Sequence, residues 1–562
     1  MVYTKKSPAL LIIGLLILLW GWLNTTTTID GLQAWLHPSA AADHQKVAKK
    51  YQDDQKAAEK AKAEGKEAPA VKKGSSRLDS LKADQARLAT IFGGILTVLG
   101  LLVFALPSRE GDLDYYLSVF PGIAFILIIA LIVRWVLDPM FANWGRAVMD
   151  AKILTWNFAS IFNLNYVVLG IVIGIITVNV FKIPDWAANG VRTARFFLKT
   201  GVILLGTLYS AAELAQLGAL SVVMIGVFVL GSVWLVLIMG RRMDAGNSMT
   251  GVLASGVGVC GVSAAVAAAP VVQARAVEIA YTIGTILLWG VGCMFIFPTI
   301  GQLLGMGPVQ FGAWAGTGIL NSAQVAGAAL AFDPQGIQTL KVAEIFNITR
   351  VLFLPLIVVW LAAWYVKNEE SAQDMKVDLT QVLVSKFPLF VLGFILMFVL
   401  SSIGVFAPAG HYQGRYFDSG RVKAEQLLKE KDIAALQAAQ EKVKEAADKK
   451  ALADLIASKK LTSRDQDTAL RGVAKLPGVS KEARDAITAA NRVAWHDSKI
   501  IRAYRDWIAW LFAFGLIGLG MQITRAALEQ AGGKPLIIGG VVGTIKAVGS
   551  LIVVLLFVRE FV

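Results

Sequence analysis

Cysteine and histidine are scarce in this 562-residue chain, which has two of the first and four of the second. Cys260 and Cys293 fall inside apolar segments, whereas His37, His44, His411 and His496 all fall outside them. That separation excludes a disulfide framework, a zinc-ligand spacing and a catalytic Cys/His pair. Charge is sparse too. Only 17% of residues are Asp, Glu, Lys or Arg, against roughly a quarter in soluble domains, and 56% are hydrophobic. A surplus of that kind has to face lipid. No paired carboxylates, metal ligands or nucleophile/base set falls within the apolar runs, so neither an enzyme nor a cofactor is expected.

Apolar runs of about twenty residues, such as Pro8 to Leu23, Leu217 to Met239, Ala276 to Pro298 and Leu536 to Val558, can cross a hydrocarbon core of about 30 Å as helices. A barrel would give a weaker, alternating signal. The expected fold is therefore an all-α integral membrane protein with about 13 transmembrane helices. Residues 1–24 form an N-terminal transmembrane anchor, read as uncleaved because GWLNTTTT supplies no small-residue cleavage site. Residues 25–86 are a hydrophilic, helical block rich in Lys, Ala and Glu. Residues 87–406 hold the first part of the transmembrane domain and 503–562 the last part. Between them, 407–502 forms a second hydrophilic helical insert.

The net charge of +14 does not call for nucleic acid. Most Lys and Arg lie in short loops or are mixed with Asp and Glu in the hydrophilic blocks, as topology and membrane-surface attraction expect. Counted from a cytoplasmic N-terminus in a bacterial-type inner membrane, Lys182, Arg192, Arg195, Arg241, Arg242, Lys367, Lys376, Arg525 and Lys534 fall on the cytoplasmic side. Arg146, Lys152 and Arg275 dissent, and both hydrophilic blocks fall outside.

An internal repeat is visible in the glycines. Gly201, Gly206, Gly218 and Gly226 recur at a constant offset as Gly515, Gly520, Gly532 and Gly540. The copies lie an odd number of spans apart, which predicts opposite directions through the membrane. Inverted repeats of this sort place substrate near the midplane, between discontinuous helices.

Two stretches at membrane depth are poor lipid-facing helices. GNSMTGVLASGVGVCGVSAAVAAAP (246–270) clusters glycine with Ser255, Cys260 and Ser263, and FGAWAGTGILNSAQVAGAALA (311–331) clusters it with Thr317, Asn321, Ser322 and Gln324. A Gly-rich break frees backbone N–H and C=O groups, tolerable in a membrane only where protein, water or ligand satisfies them. Half-helix N-termini there suit an oxyanion. The alternative is tight helix crossing, with the hydroxyls bonded back to their own helix. A third feature is LKVAEIFNITR, which places Lys341, Glu344, Asn347 and Arg350 at spacing three on neighbouring parts of one helix face. Arg350 would lie about 13 Å deep, where an unpaired arginine costs roughly 2.5 kcal/mol or more. Its planar donor fork suits a carboxylate, sulfonate or sulfate. An ion pair with Glu344 is the alternative. Arg134, beside Asp138, reads as a snorkelling anchor.

From about Asn163 to Trp364, and again from about Trp507 to Val558, the chain resembles the YeiH-type family, labelled for sulfate export and also catalogued as a conserved membrane family. The likeness rests on VVLGIVIGIITVNV, GVILLG, CGVSAAVAAAPVV, GAWAGTGILNSAQVAGAAL, ITRVLFLPLIV and GLGMQITRAALEQAGGKPL. It implies the fold of cation/proton antiporters and bile-acid symporters, with inverted repeats and two discontinuous, crossing helices at the transport site. The family's polar motifs fall on Cys260, Gly261 and Ser263, on Asn321, Ser322 and Gln324, and on Thr349 and Arg350. Where relatives often carry His-Asp and Lys, this chain has Leu320, Asn321 and Asn347.

The sequence thus points to a secondary transporter of a small sulfate- or sulfonate-like anion by alternating access. Its expected substrate-binding residues are Ser255, Cys260, Gly261, Ser263, Thr317, Asn321, Ser322, Gln324, Asn347 and Arg350, with Glu344 as the candidate for a coupling ion, sodium or proton. The expected partners are the substrate, the bilayer and further copies of the chain, without nucleic acid or metal. Two other readings remain open: a sodium- or proton-coupled carrier of organic carboxylates, and a transport-inactive receptor or assembly protein acting through its outer blocks.

Overall fold

The computed structural model describes residues 8–558 except 64–73, 106–111, 155–156, 162–163, 210, 335–336, 370–387, 410, 412–413, 444 and 477. Residue 163, at the start of one expected span, and Lys376 lie outside the described residues. The protein is predominantly helical and multi-pass. Six described helical spans are long and apolar enough to cross a membrane: Arg77–Phe104, Leu117–Asp150, Gly218–Arg242, Ala276–Leu303, Gln338–Asn368 and Gly533–Phe557. A seventh is α1 (Ala9–Thr25), if taken with α2 (Asp30–Leu36), which bends away from it by 92°. The chain divides into two units, one of Met1–Thr200, Leu220–Pro388 and Trp510–Val562 and the other of Gly201–Ala219 and Leu389–Ala509.

In the first unit, α3 (Pro38–Ala63) follows α2, and α1 lies antiparallel against α4 (Arg77–Ala105), where glycines set how closely the two approach. A Cβ on Gly93 would sit 2.8 Å from the Leu18 nitrogen and 2.9 Å from the Gly14 oxygen, and one on Gly100 would sit 2.7 Å from Leu11 Cα. Small residues at such crossings let dispersion hold two helices that lipid would otherwise separate. Gly93→Leu is therefore expected to push α1 off α4 and to lower stability by about 1–3 kcal/mol, read as a lower melting temperature in detergent; an unchanged melt would mean that the contact contributes nothing. Beyond α1, Gln33 donates to Asn24 and to Gln85, each at 2.9 Å, and Asn143 donates to the Trp35 carbonyl at 3.1 Å.

Next come α5 (Asp112–Ile132), a π-helical turn at Val133–Leu137, and α6 (Asp138–Asp150). The Arg134 guanidinium lies 4.3 Å from the ring of Trp510 and 5.4 Å from that of Tyr166. After α7 (Tyr166–Ile176), α8 (Ala194–Leu205) starts against Gly518 of α22 (Lys499–Gly520) and runs antiparallel to it, Leu198 meeting Gly515. The helix α9 (Ala211–Arg242) is likewise antiparallel to α23 (Gly533–Phe557), with Phe228 against Gly549 at one level and the Asp244 carbonyl accepting from Lys534 at the end.

Two of the thirteen expected crossings do not cross. The 246–270 stretch forms α10 (Asn247–Gly258) and α11 (Val262–Ala268), and the chain turns back between them. Ser255 Oγ donates to the Ala264 carbonyl at 2.9 Å, and a Cβ on Gly251 would meet Val272 Cγ1 at 2.8 Å. The 311–331 stretch forms α13 (Pro308–Gly318) and α14 (Ser322–Phe332), whose outer ends meet where the rings of Phe311 and Phe332 stack at 4.0 Å. Both are re-entrant hairpins, not the crossing discontinuous helices that the resemblance implied. Twelve helical residues reach only about 18 Å, and the small side chains let each pair of arms pack side by side.

The hairpins enter from opposite ends of the helices around them. The foot of the first lies beside Gly240 of α9, and Ser248 donates to Glu278 at the start of α12 (Ala276–Leu303) at 3.1 Å. The foot of the second lies at the far end of α12, where Gly301 packs on Phe311 and Phe332. Then α15 (Gln338–Leu352) and α16 (Leu354–Asn368) return the chain to the first end, where Asn247 donates to the Asn368 carbonyl at 2.9 Å.

In the second unit, α17 (Leu389–Ser402) packs on residues 206–208, and Ser401 bonds both the Thr207 carbonyl at 2.6 Å and His411 at 2.9 Å. Four amphipathic helices, α18 (Glu430–Gln440), α19 (Ala446–Ser458), α20 (Arg464–Lys475) and α21 (Lys481–Ala494), bury Leu436, Leu452, Leu455, Leu470 and Ala486 between them. Beside these helices, β1 (Arg415–Phe417) pairs antiparallel with β2 (Trp495–Asp497).

Candidate functional site

The two hairpin tips touch. Ser322 N donates to the Cys260 carbonyl at 3.4 Å, and a Cβ on Gly261 would lie 3.0 Å from Asn321 Cα. Gly261 has φ +82°, the left-handed conformation that reverses the chain between α10 and α11 and that side chains disfavour. Four of the sequence-predicted residues, Cys260, Gly261, Asn321 and Ser322, therefore meet. Asn321 caps α14, its side chain accepting from Ala323 N at 3.2 Å. Ser263 is exposed just past the first tip.

Two predicted residues serve their own hairpins. Ser255 is bonded across the first, as above, and Thr317 Oγ1 donates back to the Ala313 carbonyl at 2.8 Å. Thr317 is thus bonded back to its own helix, whereas Ser255 reaches the other arm of its hairpin. Gln324 is wholly buried against Gly290 and donates to the Leu287 carbonyl at 3.3 Å, while its Oε1 has no partner among the described residues.

Arg350 is 0% exposed. It makes no direct pair with Glu344. One of its terminal N–H groups donates to the carbonyl of Ile319, at the C-terminal end of α13, and another donates to Asn347 Oδ1 at 3.0 Å. Asn347 Nδ2 in turn donates to Glu344 Oε2 at 2.9 Å. Because arginine can only donate, this orientation of the Asn347 amide is dictated by chemistry. A single chain of contacts thus runs from Glu344 through Asn347 and Arg350 to the second tip. Arg350 Nε and Ser322 Oγ, both shielded from solvent, have no partner among the described residues.

Sequence reasoning missed Lys546, a lone cation within the apolar run of α23. It is 1% exposed and donates to the carbonyls of Val257 and Gly258 at 2.9 and 3.0 Å, at the C-terminal end of α10. Like Arg350, it is a charge within an apolar run, costly at that depth unless its N–H groups are satisfied. Next to it, Trp314 Nε1 donates to the Ala547 carbonyl at 2.9 Å. The first arm of each hairpin thus ends on a buried cation, Lys546 for α10 and Arg350 for α13. Cations are favourable at helix C-termini, and here they satisfy the carbonyls that a break exposes.

A cavity of about 440 Å³ lies at the foot of the second hairpin, lined by Asp138, Arg146, Asn157, Asn165, Gln302 and Phe332 among others. Asn165 ties this foot down, donating to the Ala331 carbonyl at 3.0 Å while its oxygen caps α7. Among the described residues, no group of three or more His, Cys, Asp or Glu side chains is placed to hold a metal ion.

Residues 121–414 match the family model described as "Conserved hypothetical protein 698". A UPF0324 membrane protein of Nitratidesulfovibrio vulgaris is 32% identical over 458 residues, which cover 81% of this chain and 99% of the relative. A second from the same organism is 36% identical over 288 residues, covering 51% and 76%. A third, from Streptococcus agalactiae, is 29% identical over 238 residues, covering 42% and 69%. No solved structure matches the chain.

Proposed function

We propose that this chain, which belongs to the UPF0324 family of membrane proteins, the YeiH-type family, is a secondary transporter that moves a small sulfate- or sulfonate-like anion by alternating access. The observation that carries the reading is the meeting of two hairpin tips, from opposite ends, beside a fully buried arginine whose Nε has no partner among the described residues. Lys546 and Arg350 sit on the negative helix ends. Arg350 Nε and Ser322 Oγ are left to donate to a ligand of negative charge.

Alternating access needs a gate on each side of the site, and hairpins inserted from the two ends are suited to that role. The reading as inverted repeats is supported by the opposite directions of α8 and α22 and of α9 and α23. In this reading the end that carries Arg241, Arg242, Lys367, Arg525 and Lys534 is cytoplasmic, in a bacterial inner membrane. Arg275 joins that side, because the first hairpin returns there. The cavity at the foot of the second hairpin then opens to the outer side as an entry or exit for substrate.

Flux into proteoliposomes tests this. Labelled sulfate or a small organosulfonate is expected to cross, and to exchange with unlabelled anion on the far side. Movement of organic carboxylates alone would replace the substrate class, and no flux with any anion of the panel would overturn the transport reading.

A further inference from the structure

A carboxylate buried in a membrane interior is costly unless it is paired or neutral. Glu344 is 1% exposed and receives one side-chain hydrogen bond, from Asn347. Among the described residues no cation touches it directly: Arg350 is reached only through the Asn347 amide, whose oxygen already faces the guanidinium. That amide turns N–H groups, not oxygen, toward the carboxylate. A sodium ion, which needs several oxygen ligands, would find the wrong atoms there. A proton needs only the carboxylate itself.

The charge balance of the site depends on that proton. The helices packed against this face, α13 and α14, carry no titratable or charged side chain. Other such groups are Lys341 and Arg350 on α15, Asp333 at its foot, Cys260 at the opposite tip with Arg195 and Lys199 of α8 facing it, and Lys546 on α23. With Glu344 ionised, the positive charge of Arg350 is offset within the Glu344–Asn347–Arg350 chain. With Glu344 neutral, Arg350 keeps an unbalanced charge at the tip, next to the partnerless Ser322 Oγ. In a medium of low dielectric that difference weighs heavily on whether an anion is held.

We infer that Glu344 is a proton-binding site coupled to anion binding at the hairpin tips, so that a proton and the anion are taken up together. The inference rests on the transport reading above and identifies its coupling ion. By linkage, a proton on Glu344 strengthens anion binding, and a bound anion draws the proton onto Glu344 to the same degree. One proton moves from water to a carboxylate oxygen on loading and returns to water on release; no other bond changes.

Infrared difference spectroscopy of the purified full-length protein reads this directly, through the carbonyl stretch of a protonated carboxylic acid. A band that grows on acidification is expected in the wild type. It should be lost in Glu344→Gln and displaced in Glu344→Asp, which retains the acid if the glutamine variant folds poorly. Adding inorganic sulfate at constant pH should enlarge the band in the wild type and leave it unchanged in Arg350→Ala. An undiminished band in Glu344→Gln overturns the inference. So does a band that ignores sulfate in a protein shown to transport sulfate. If no anion is transported at all, the transport reading fails alone, and a band that follows pH and disappears with Glu344→Gln still upholds the proton site.

Discussion

Arg350→Ala is expected to abolish anion flux in proteoliposomes and to lower the melting temperature of the detergent-solubilised protein. Arg350 is fully buried and holds both the Ile319 carbonyl and the Asn347 amide. Truncation leaves that carbonyl at the end of α13 and Asn347 Oδ1 without donors, and leaves Glu344 without its nearest compensating charge. Breaking a buried charged group away from its partners costs about 3–5 kcal/mol, enough to loosen the second tip. Two further variants separate binding from packing. Arg350→Lys keeps the charge but loses the planar fork, so it should recover part of the stability while sulfate affinity stays weak. Arg350→Met keeps much of the volume and no charge, and should be as inactive as alanine. Normal flux in Arg350→Met would reduce the arginine to a packing element.

Lys546→Met is expected to be the most destabilising change outside the three polar segments visible in the sequence. The ammonium is the donor for two adjacent carbonyls at the end of α10, Val257 O and Gly258 O. Hydrogen bonds to a charged group contribute about 1.5–3 kcal/mol each, and within the membrane no bulk water replaces them. The consequence for transport differs from that of Arg350. Lys546 holds the first hairpin from the α23 side, so the maximal rate should fall while the sulfate concentration for half-maximal flux changes little. Lys546→Arg should restore most of the melting temperature. Loss of affinity with an unchanged melt would instead place Lys546 among the groups that touch the anion.

The sequence made the membrane class, the helical insert and the break points legible for separate physical reasons. Apolar runs of membrane length, repeated this often, exceed what a water-soluble core can bury, and the AEQLLKEKDIAALQAAQ pattern has the period of amphipathic helices. Clustered glycine beside Ser, Asn and Gln marked both segments that break. Their direction after the break was not legible, because a kinked helix that continues and one that turns back free the same backbone groups. Only the contacts of Ser255 with Ala264 and of Phe311 with Phe332 decide between the two. In the orientation proposed above, the same contacts account for the dissent of Arg275 from the charge count, since a hairpin read as a crossing moves the following loop to the other side.

What the sequence by itself determined is the set of residues that a lipid environment would not tolerate alone: Arg350, Glu344, Asn347, the two Gly-rich stretches and, read with equal care, Lys546. Their cost depends on composition and depth, both local properties of the chain. What only the tertiary structure decided is how that cost is met. Arg350 and Lys546 lie far along the chain from the carbonyls they hold, Arg350 is joined to Glu344 through an amide and not directly, and Ser255 and Thr317 serve their own hairpins. Hydrogen bonds are directional and short, so the choice among partners is made by three-dimensional placement, which spacing along a helix cannot supply.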